Sequence, residues 1–335
     1  MGKFINEESE TMNEKTKPFR WGLIGAGDIV RKRVASALQD TPGSEIIAVS
    51  RKQEEQAVAF AESLGVPKSY SRWEDLVSDP EIDGVYIATP VFMHAPMAIR
   101  AAECGKHVLC EKPMALSVAE CDAMIEACRN HNVKLGIAYY RHFYPVVKRI
   151  REIISSGRLG NVVYAHCTAF ESFDVPPDHP RHWFLEKDKA GGGPMFDFGC
   201  HRIEMLMFIL GDIAEVKGMM TSVKLIREVE DTAVALLRFA NNALATITVS
   251  HSISTRQDLL EIFGTNASAE VLSLNEGKMV LKLPVGEVPE THLSFHNPHR
   301  PLVADFIEAV RENREPAVPG ETGRKVNEVL EALYR

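Results

Sequence analysis

Gly22-Leu23-Ile24-Gly25-Ala26-Gly27-Asp28-Ile29-Val30 is the stretch that decides the fold. An apolar run over residues 21–24 leads into two glycines and then into an amphipathic, helix-length stretch over residues 29–39. Gly25 and Gly27 let the backbone turn tightly and approach a pyrophosphate, whose charge is favoured at a helix N-terminus. The third position of that fingerprint, normally Gly or Ala, is Val30, and any strand–turn–helix corner wants a glycine for positive φ. What decides for dinucleotide binding is that this corner is the first of a series. Gly25, Gly27, Asp28 and Ile29 are the cofactor-binding candidates here.

Outward from that corner, apolar runs rich in Val and Ile recur at 46–49, 85–88, 107–110 and 133–138. Amphipathic stretches at 53–64, 95–103 and 118–131 separate them. Continuous apolar strands alternating with helices predict a Rossmann-type α/β domain, a doubly wound parallel sheet covered on both faces, over residues 18–138. After a helix at 145–155, stretches rich in β-branched residues follow at 162–170, 216–223, 232–239, 243–250 and 259–264, joined by Gly/Asn turns. An apolar helix at 194–210 interrupts them, and helices at 302–312 and 321–334 close the chain. Residues 139–335 therefore read as an α+β domain with a large, mostly antiparallel open sheet for substrate binding and oligomerisation. Whether its C-terminal helices pack back on the first domain is left open.

Composition narrows the function. The chain has 335 residues, 38 Lys+Arg against 46 Asp+Glu, and a formal net charge of −8. That balance argues against nucleic acid and anionic membranes as partners, since both favour basic patches. The longest apolar run, residues 205–210, is too short to span a bilayer. Residues 1–17 are polar, lack the apolar core of a signal peptide, and read as a disordered leader. Six cysteines without CxxC spacing read as reduced thiols in a cytoplasmic protein.

Chemistry-bearing residues gather at strand ends and at one helix start. Glu111-Lys112-Pro113 follows the run at 107–110, and ligands of open α/β sheets bind beyond the carboxyl ends of strands. A glycine run and Pro194 open the apolar helix, placing Asp197 and His201 four residues apart on one face. Taken alone, that pair also reads as a core histidine with an early-turn acid, or as two ligands of a metal lacking a clear third, His166 and Glu204 being the candidates.

With Ala88-Thr89-Pro90, His94, Glu111-Lys112-Pro113 and Ala190-Gly-Gly-Gly-Pro-Met-Phe-Asp197-Phe-Gly-Cys-His201 in this order, the chain resembles the Gfo/Idh/MocA family from about residue 18 to its end. Val91 departs from the Asn often found after Thr-Pro, and Glu204 stands where many relatives have Asp. The resemblance implies a catalytic Lys112 and places Asp197 and His201 beside the substrate, with no metal. Lys112 would stabilise charge on an alkoxide. His201, with an unperturbed pKa of roughly 6.5, would act as general acid/base, and Asp197 would bind a hydroxyl or assist proton transfer. Thr89, Pro90, His94, Glu111 and Lys112 join the cofactor set. Tyr140, Arg141 and Trp183 are substrate candidates, although interdomain packing explains the first two equally well and aromatic loop packing the third.

The implied activity is NAD(P)-dependent interconversion of a secondary alcohol and ketone, or a lactol and lactone, on a sugar or cyclitol. Two rivals are a non-catalytic dinucleotide sensor and an enzyme that uses tightly held NAD for elimination or glycoside cleavage. The resemblance also implies a homodimer or homotetramer through the second-domain sheet. The run at 45–49 ends in Ser50-Arg51-Lys52 without the carboxylate that accepts the NAD ribose hydroxyls, which favours NADP over NAD.

Overall fold

The computed structural model describes residues 17–335, so the expected leader, but for Lys17, lies outside the described residues. The first sheet holds six parallel strands: β1 (Phe19–Ile24), β2 (Ser44–Ser50), β3 (Lys68–Tyr70), β4 (Gly84–Ile87), β5 (His107–Cys110) and β6 (Leu135–Ile137). Their order is β3-β2-β1-β4-β5-β6, so the chain reverses direction across the sheet between β1 and β4. That switch point opens the crevice in which α/β sheets hold ligands. The three-residue β3 carried no apolar run and escaped the sequence pattern; it pairs at the edge of β2.

Helices α1 (Ala35–Asp40), α2 (Glu54–Leu64), α3 (Trp73–Val77), α4 (His94–Glu103) and α5 (Val118–Asn130) cover the sheet. A wide turn over Val30–Val34 precedes α1. Helix α5 starts with a reciprocal cap: Ser117 accepts from the Glu120 N–H, and the Glu120 carboxylate accepts from the Leu116 N–H.

Helix α6 (Pro145–Ser155) leads to the second sheet. Its strands are β7 (Val162–Phe170), β8 (Ile213–Thr221), β9 (Thr232–Phe239), β10 (Leu244–Ser250), β11 (Gln257–Gly264), β12 (Ser268–Ser273), β13 (Lys278–Leu283) and β14 (Gly286–Thr291). Every pairing is antiparallel except β7 with β10. Strands β12, β13 and β14 are six residues each; β12 and β13 bury only two residues apiece and β14 is almost wholly exposed, so none carries an apolar run of strand length.

The expected helix at 194–210 is two pieces. Residues Met195–Gly199 form a wide turn, closed by the Cys200 N–H on Met195 O, and α8 (Cys200–Leu210) continues from it, with the short α7 (Lys187–Ala190) upstream. Helices α9 (Arg300–Arg311) and α10 (Gly320–Leu333) return to the first domain. Phe306 of α9 stacks near Trp21 at 5.6 Å and fills the space that Gly136 leaves, where a Cβ would come within 2.8 Å of it. One hydrophobic cluster thus runs from β1 through both domains to α10. No helix among the described residues is long and apolar enough to cross a membrane.

Candidate active site

Two glycines do different work at the end of β1. Gly25 has φ +100°, and a Cβ there would sit 2.4 Å from Ala88 O, so only glycine lets the turn pass so close to the end of β4. At Gly27 a Cβ would meet nothing within 4 Å, so the turn faces open space over the first helix. The Gly27 carbonyl accepts from Val30 and Arg31, and Gly25 N–H bonds Ser50 O, tying the turn to the tip of β2. That open glycine ledge at a helix start fits a dinucleotide pyrophosphate.

Around the ledge, the Asp28 carboxylate is partly exposed and pairs with Lys32 at 2.6 Å, and Ile29 packs against the core. Ser50 is buried, Lys52 exposed and Arg51 between the two. Burial, then the like charge of Arg31, holds the Arg51 guanidinium below its ordinary value. Arg31 was not singled out in the sequence; one turn into the first helix, it reads there as ordinary surface charge.

The loops after β4 and β5 are stitched together by His94. Its Nε2 lies 2.9 Å from Thr89 O and its Nδ1 3.0 Å from Pro113 O. Burial holds this imidazole below its usual range, so it donates to one carbonyl at a time. The Thr89 hydroxyl points to the Met97 sulfur at 3.6 Å. Pro90 opens the turn Val91–Met93, and the Lys112–Pro113 peptide is cis. The Glu111 carboxylate is turned inward: it accepts from Tyr86 Oη at 2.9 Å and from the Lys112 N–H at 3.2 Å, with His299 Nε2 at 3.6 Å. Burial works against its ionisation, yet His299 and Lys112 hold it below the ordinary glutamate range.

Lys112 reaches across to the other domain. Its ammonium donates to both the carbonyl and the Oδ1 of Asp197, each at 3.0 Å. Burial alone would lower this lysine, but the Asp197 charge holds it well above the usual range; Asp197 in turn lies well below the usual carboxylate range, burial being outweighed by Lys112 and His251. With two of three N–H groups engaged, one donor remains. The neighbouring Cys200 is no thiolate, since burial pushes it up to about 11.

His201 sits one turn on, buried, its ring edge-on to Tyr139 and Tyr140 at 5.7 and 4.9 Å, and its Nδ1 has no partner. Its titration departs from the unperturbed value expected: burial first, then Lys112, Arg141 and Arg202, holds it well below the usual histidine range. The site therefore presents a neutral imidazole beside an ammonium. Tyr140 is largely buried between His201 and His299, with the Arg33 guanidinium 3.3 Å from its hydroxyl. Arg141, for which substrate contact and interdomain packing were equally open, is buried, and it and Arg202 both hydrogen-bond Asp258, the former at 3.1 Å. Trp183 is stacked on Phe184 at 3.8 Å, so an aromatic loop accounts for it. The alternative ligands also part: Glu204 bonds His142 and His166 bonds Thr246. The described residues contain no group of three or more His, Cys, Asp or Glu able to hold a metal.

Four residues that sequence reasoning missed surround the start of the helix that carries Asp197 and His201. His251, just past β10, is buried with Nε2 3.5 Å from Asp197 Oδ2 and Nδ1 3.1 Å from the Arg227 guanidinium. Arg227 also donates to Glu230 O and Phe173 O. The Glu230 carboxylate accepts from the N–H groups of Gly193 and Met195 and from the hydroxyl of Tyr334, the penultimate residue. These positions lie 30 to 137 residues from Asp197 and share no local motif with it, by direct count along the chain.

Residues 19–139 match the family model described as oxidoreductase family, NAD-binding Rossmann fold, and residues 147–270 match the GFO/IDH/MocA C-terminal domain. The chain is 32% identical over 314 residues to 1,5-anhydro-D-fructose reductase from Ensifer adhaerens, covering 91% of this chain and 92% of that protein. It is 28% identical to myo-inositol 2-dehydrogenase from Thermotoga maritima, covering 91% and 92%. Among solved structures, aldose-aldose oxidoreductase from Caulobacter crescentus complexed with glycerol superposes with a TM-score of 0.87 at 26% identity, over 95% of this chain and 97% of that one.

Proposed function

Because the chain belongs to the GFO/IDH/MocA family of NAD-binding oxidoreductases, we propose that it interconverts a secondary alcohol and a ketone, or a lactol and a lactone, on a sugar or cyclitol. The observation that carries this reading is the contact of Lys112 with Asp197 at 3.0 Å, because it joins the strand-end lysine of the dinucleotide domain to the glycine-rich helix of the second domain. The named relatives act on a sugar derivative and an inositol, which supports that substrate class.

The glycine ledge of Gly25 and Gly27, with Asp28 and Ile29 at the helix start, would hold the pyrophosphate, and the Thr89-Pro90 and Glu111-Lys112 loops would border the nicotinamide. When bound, the nicotinamide supplies the hydride acceptor or donor. The protein supplies the rest. In the oxidation direction the free N–H of Lys112 binds the reacting oxygen and stabilises the negative charge that develops there. Lys112 stays an ammonium throughout, since Asp197 holds its proton. His201, held neutral, takes the hydroxyl proton. Asp197 fixes the ammonium and does not itself exchange a proton, because it remains ionised.

The adenosine end favours NADP in this reading. Ser50, Arg51 and Lys52 follow β2, and the charge acting on Arg51 is that of a second guanidinium, Arg31, so an anion placed there relieves a repulsion. For assembly, the reading is a second copy of this chain on the open face of the second sheet. That face carries Leu244, Tyr164 and Phe263 in one cross-strand row, with exposed Val234 and Leu236 beside them. The deciding experiment is a panel of sugars, polyols and cyclitols with NAD and NADP in both directions, followed by nicotinamide absorbance.

A further inference from the structure

We infer that His251 is a positioning residue for Lys112: through its Nε2–H it holds Asp197 Oδ2, and Arg227 sets the tautomer that makes this possible. The inference takes the oxidoreductase reaction from the reading above but rests on its own geometry.

A guanidinium has donors and no acceptor, so Arg227 Nη2 at 3.1 Å requires a lone pair on His251 Nδ1. The ring proton then sits on Nε2, the nitrogen that faces Asp197 Oδ2 at 3.5 Å. That distance is too long for a formed hydrogen bond, and Nε2 is buried without a hydrogen-bond partner, Asp197 Oδ2 being the carboxylate oxygen it faces. A buried donor with a carboxylate oxygen as its one outlet is costly to strand, and such contacts in ligand-free sites shorten when substrate closes them. The ring cannot swing away, because Phe198 lies edge-on at 4.9 Å and Phe173 at 5.2 Å. Arg227 is braced by the carbonyls of Glu230 and Phe173, so the tautomer is dictated by backbone on both sides.

The consequence lies at the carboxylate. With Oδ2 held by the second-domain sheet, Oδ1 is presented to the first-domain lysine in one orientation. The Asp197 backbone is itself anchored, its N–H on Gly193 O at 3.1 Å, so His251 and Lys112 act on the carboxylate and not on the turn.

The direct test is the 15N NMR spectrum of the histidine-labelled full-length protein, with the His251 signals assigned by their loss in His251→Gln. A ring proton on Nε2 with a lone pair on Nδ1 is expected; protonation at Nδ1 overturns the inference, whether or not any sugar turns over. The kinetic test compares two variants that retain the wild-type melting profile. His251→Phe keeps the ring volume without the donor and should lower kcat about 10- to 100-fold, with KM for the cofactor unchanged. His251→Gln restores a donor near the Nε2 position and should recover most of that loss. If the phenylalanine variant retains full kcat, or the glutamine variant is as slow, His251 is packing alone. If the phenylalanine variant does not fold, the tautomer decides in favour, a proton on Nε2 with Nδ1 bare supporting the role, and a glutamine variant as slow as Asp197→Asn overturns it. Failure of every sugar and cyclitol to turn over in the wild type counts against the proposed reaction, and the tautomer still answers for His251.

Discussion

Lys112 Nζ and Asp197 Oδ1 lie 3.0 Å apart, both largely buried, and they come from different domains. Neither partner is affordable alone at such a site: an isolated buried ammonium or carboxylate costs several kcal/mol. The pair therefore couples the relative placement of the domains to the charge state that the chemistry needs.

Lys112→Met should lower kcat about 10²- to 10³-fold, the loss of one donor to a developing oxyanion, with dinucleotide affinity little changed. Steady-state kinetics and cofactor titration separate the two. Asp197→Asn should also lower kcat, because it removes the charge that holds the lysine protonated.

Arg51→Ala should weaken NADP binding about 10- to 100-fold, the worth of a charge-assisted hydrogen bond, and leave NAD binding nearly unchanged. Fluorescence titration with both dinucleotides checks this. Equal wild-type affinities for the two would remove the basis for NADP preference.

His107 predicts a pH dependence of stability. Its Nδ1 accepts the Lys134 N–H at 3.0 Å, and burial holds it down at about 4 against an ordinary value near 6.5. The folded state thus binds fewer protons than the unfolded one between those values. Stability from this group is intact above pH ~6.5 and falls as the pH drops toward ~4, by about 3 kcal/mol in all. His107→Asn, which keeps an acceptor without titrating, should flatten that part of the denaturant-midpoint profile.

Asp258 holds two buried guanidiniums, Arg141 and Arg202. Asp258→Ala strands both and should cost about 3–5 kcal/mol, read as a large fall in melting temperature. Combining it with Arg141→Met should recover part of the loss.

Leu236→Glu on the open sheet face should shift sedimentation toward the monomer. A wild-type chain that is strictly monomeric at micromolar concentration would contradict the proposed assembly.

Local pattern made part of this protein legible. The Gly25–Gly27 corner, the strand-end Lys112 and the spacing of Asp197 and His201 are written within a few residues each, and the alternation of apolar runs marks the parallel sheet. Strand β3 and strands β12 to β14 were not legible: β3 and β14 are edge strands with no buried side chain, and β12 and β13 bury only two residues each, too few to mark a period. The neutral state of His201 was also hidden: it comes from burial and from cations on three separate segments. His251 and Arg227 act through side-chain contacts that no spacing encodes. For Arg141 the sequence left substrate contact and interdomain packing equally open, because its partner Asp258 lies 117 residues away.

The most direct test of the central claim is hydride transfer itself, measured as nicotinamide absorbance change with each sugar and cyclitol, then repeated with the reacting carbon deuterated in wild type and in Lys112→Met. The account predicts net cofactor reduction or oxidation with at least one substrate, and a deuterium effect on kcat that is present in the slowed variant. Dinucleotide bound with no absorbance change across the whole panel, or a Lys112→Met variant as fast as wild type, would contradict it.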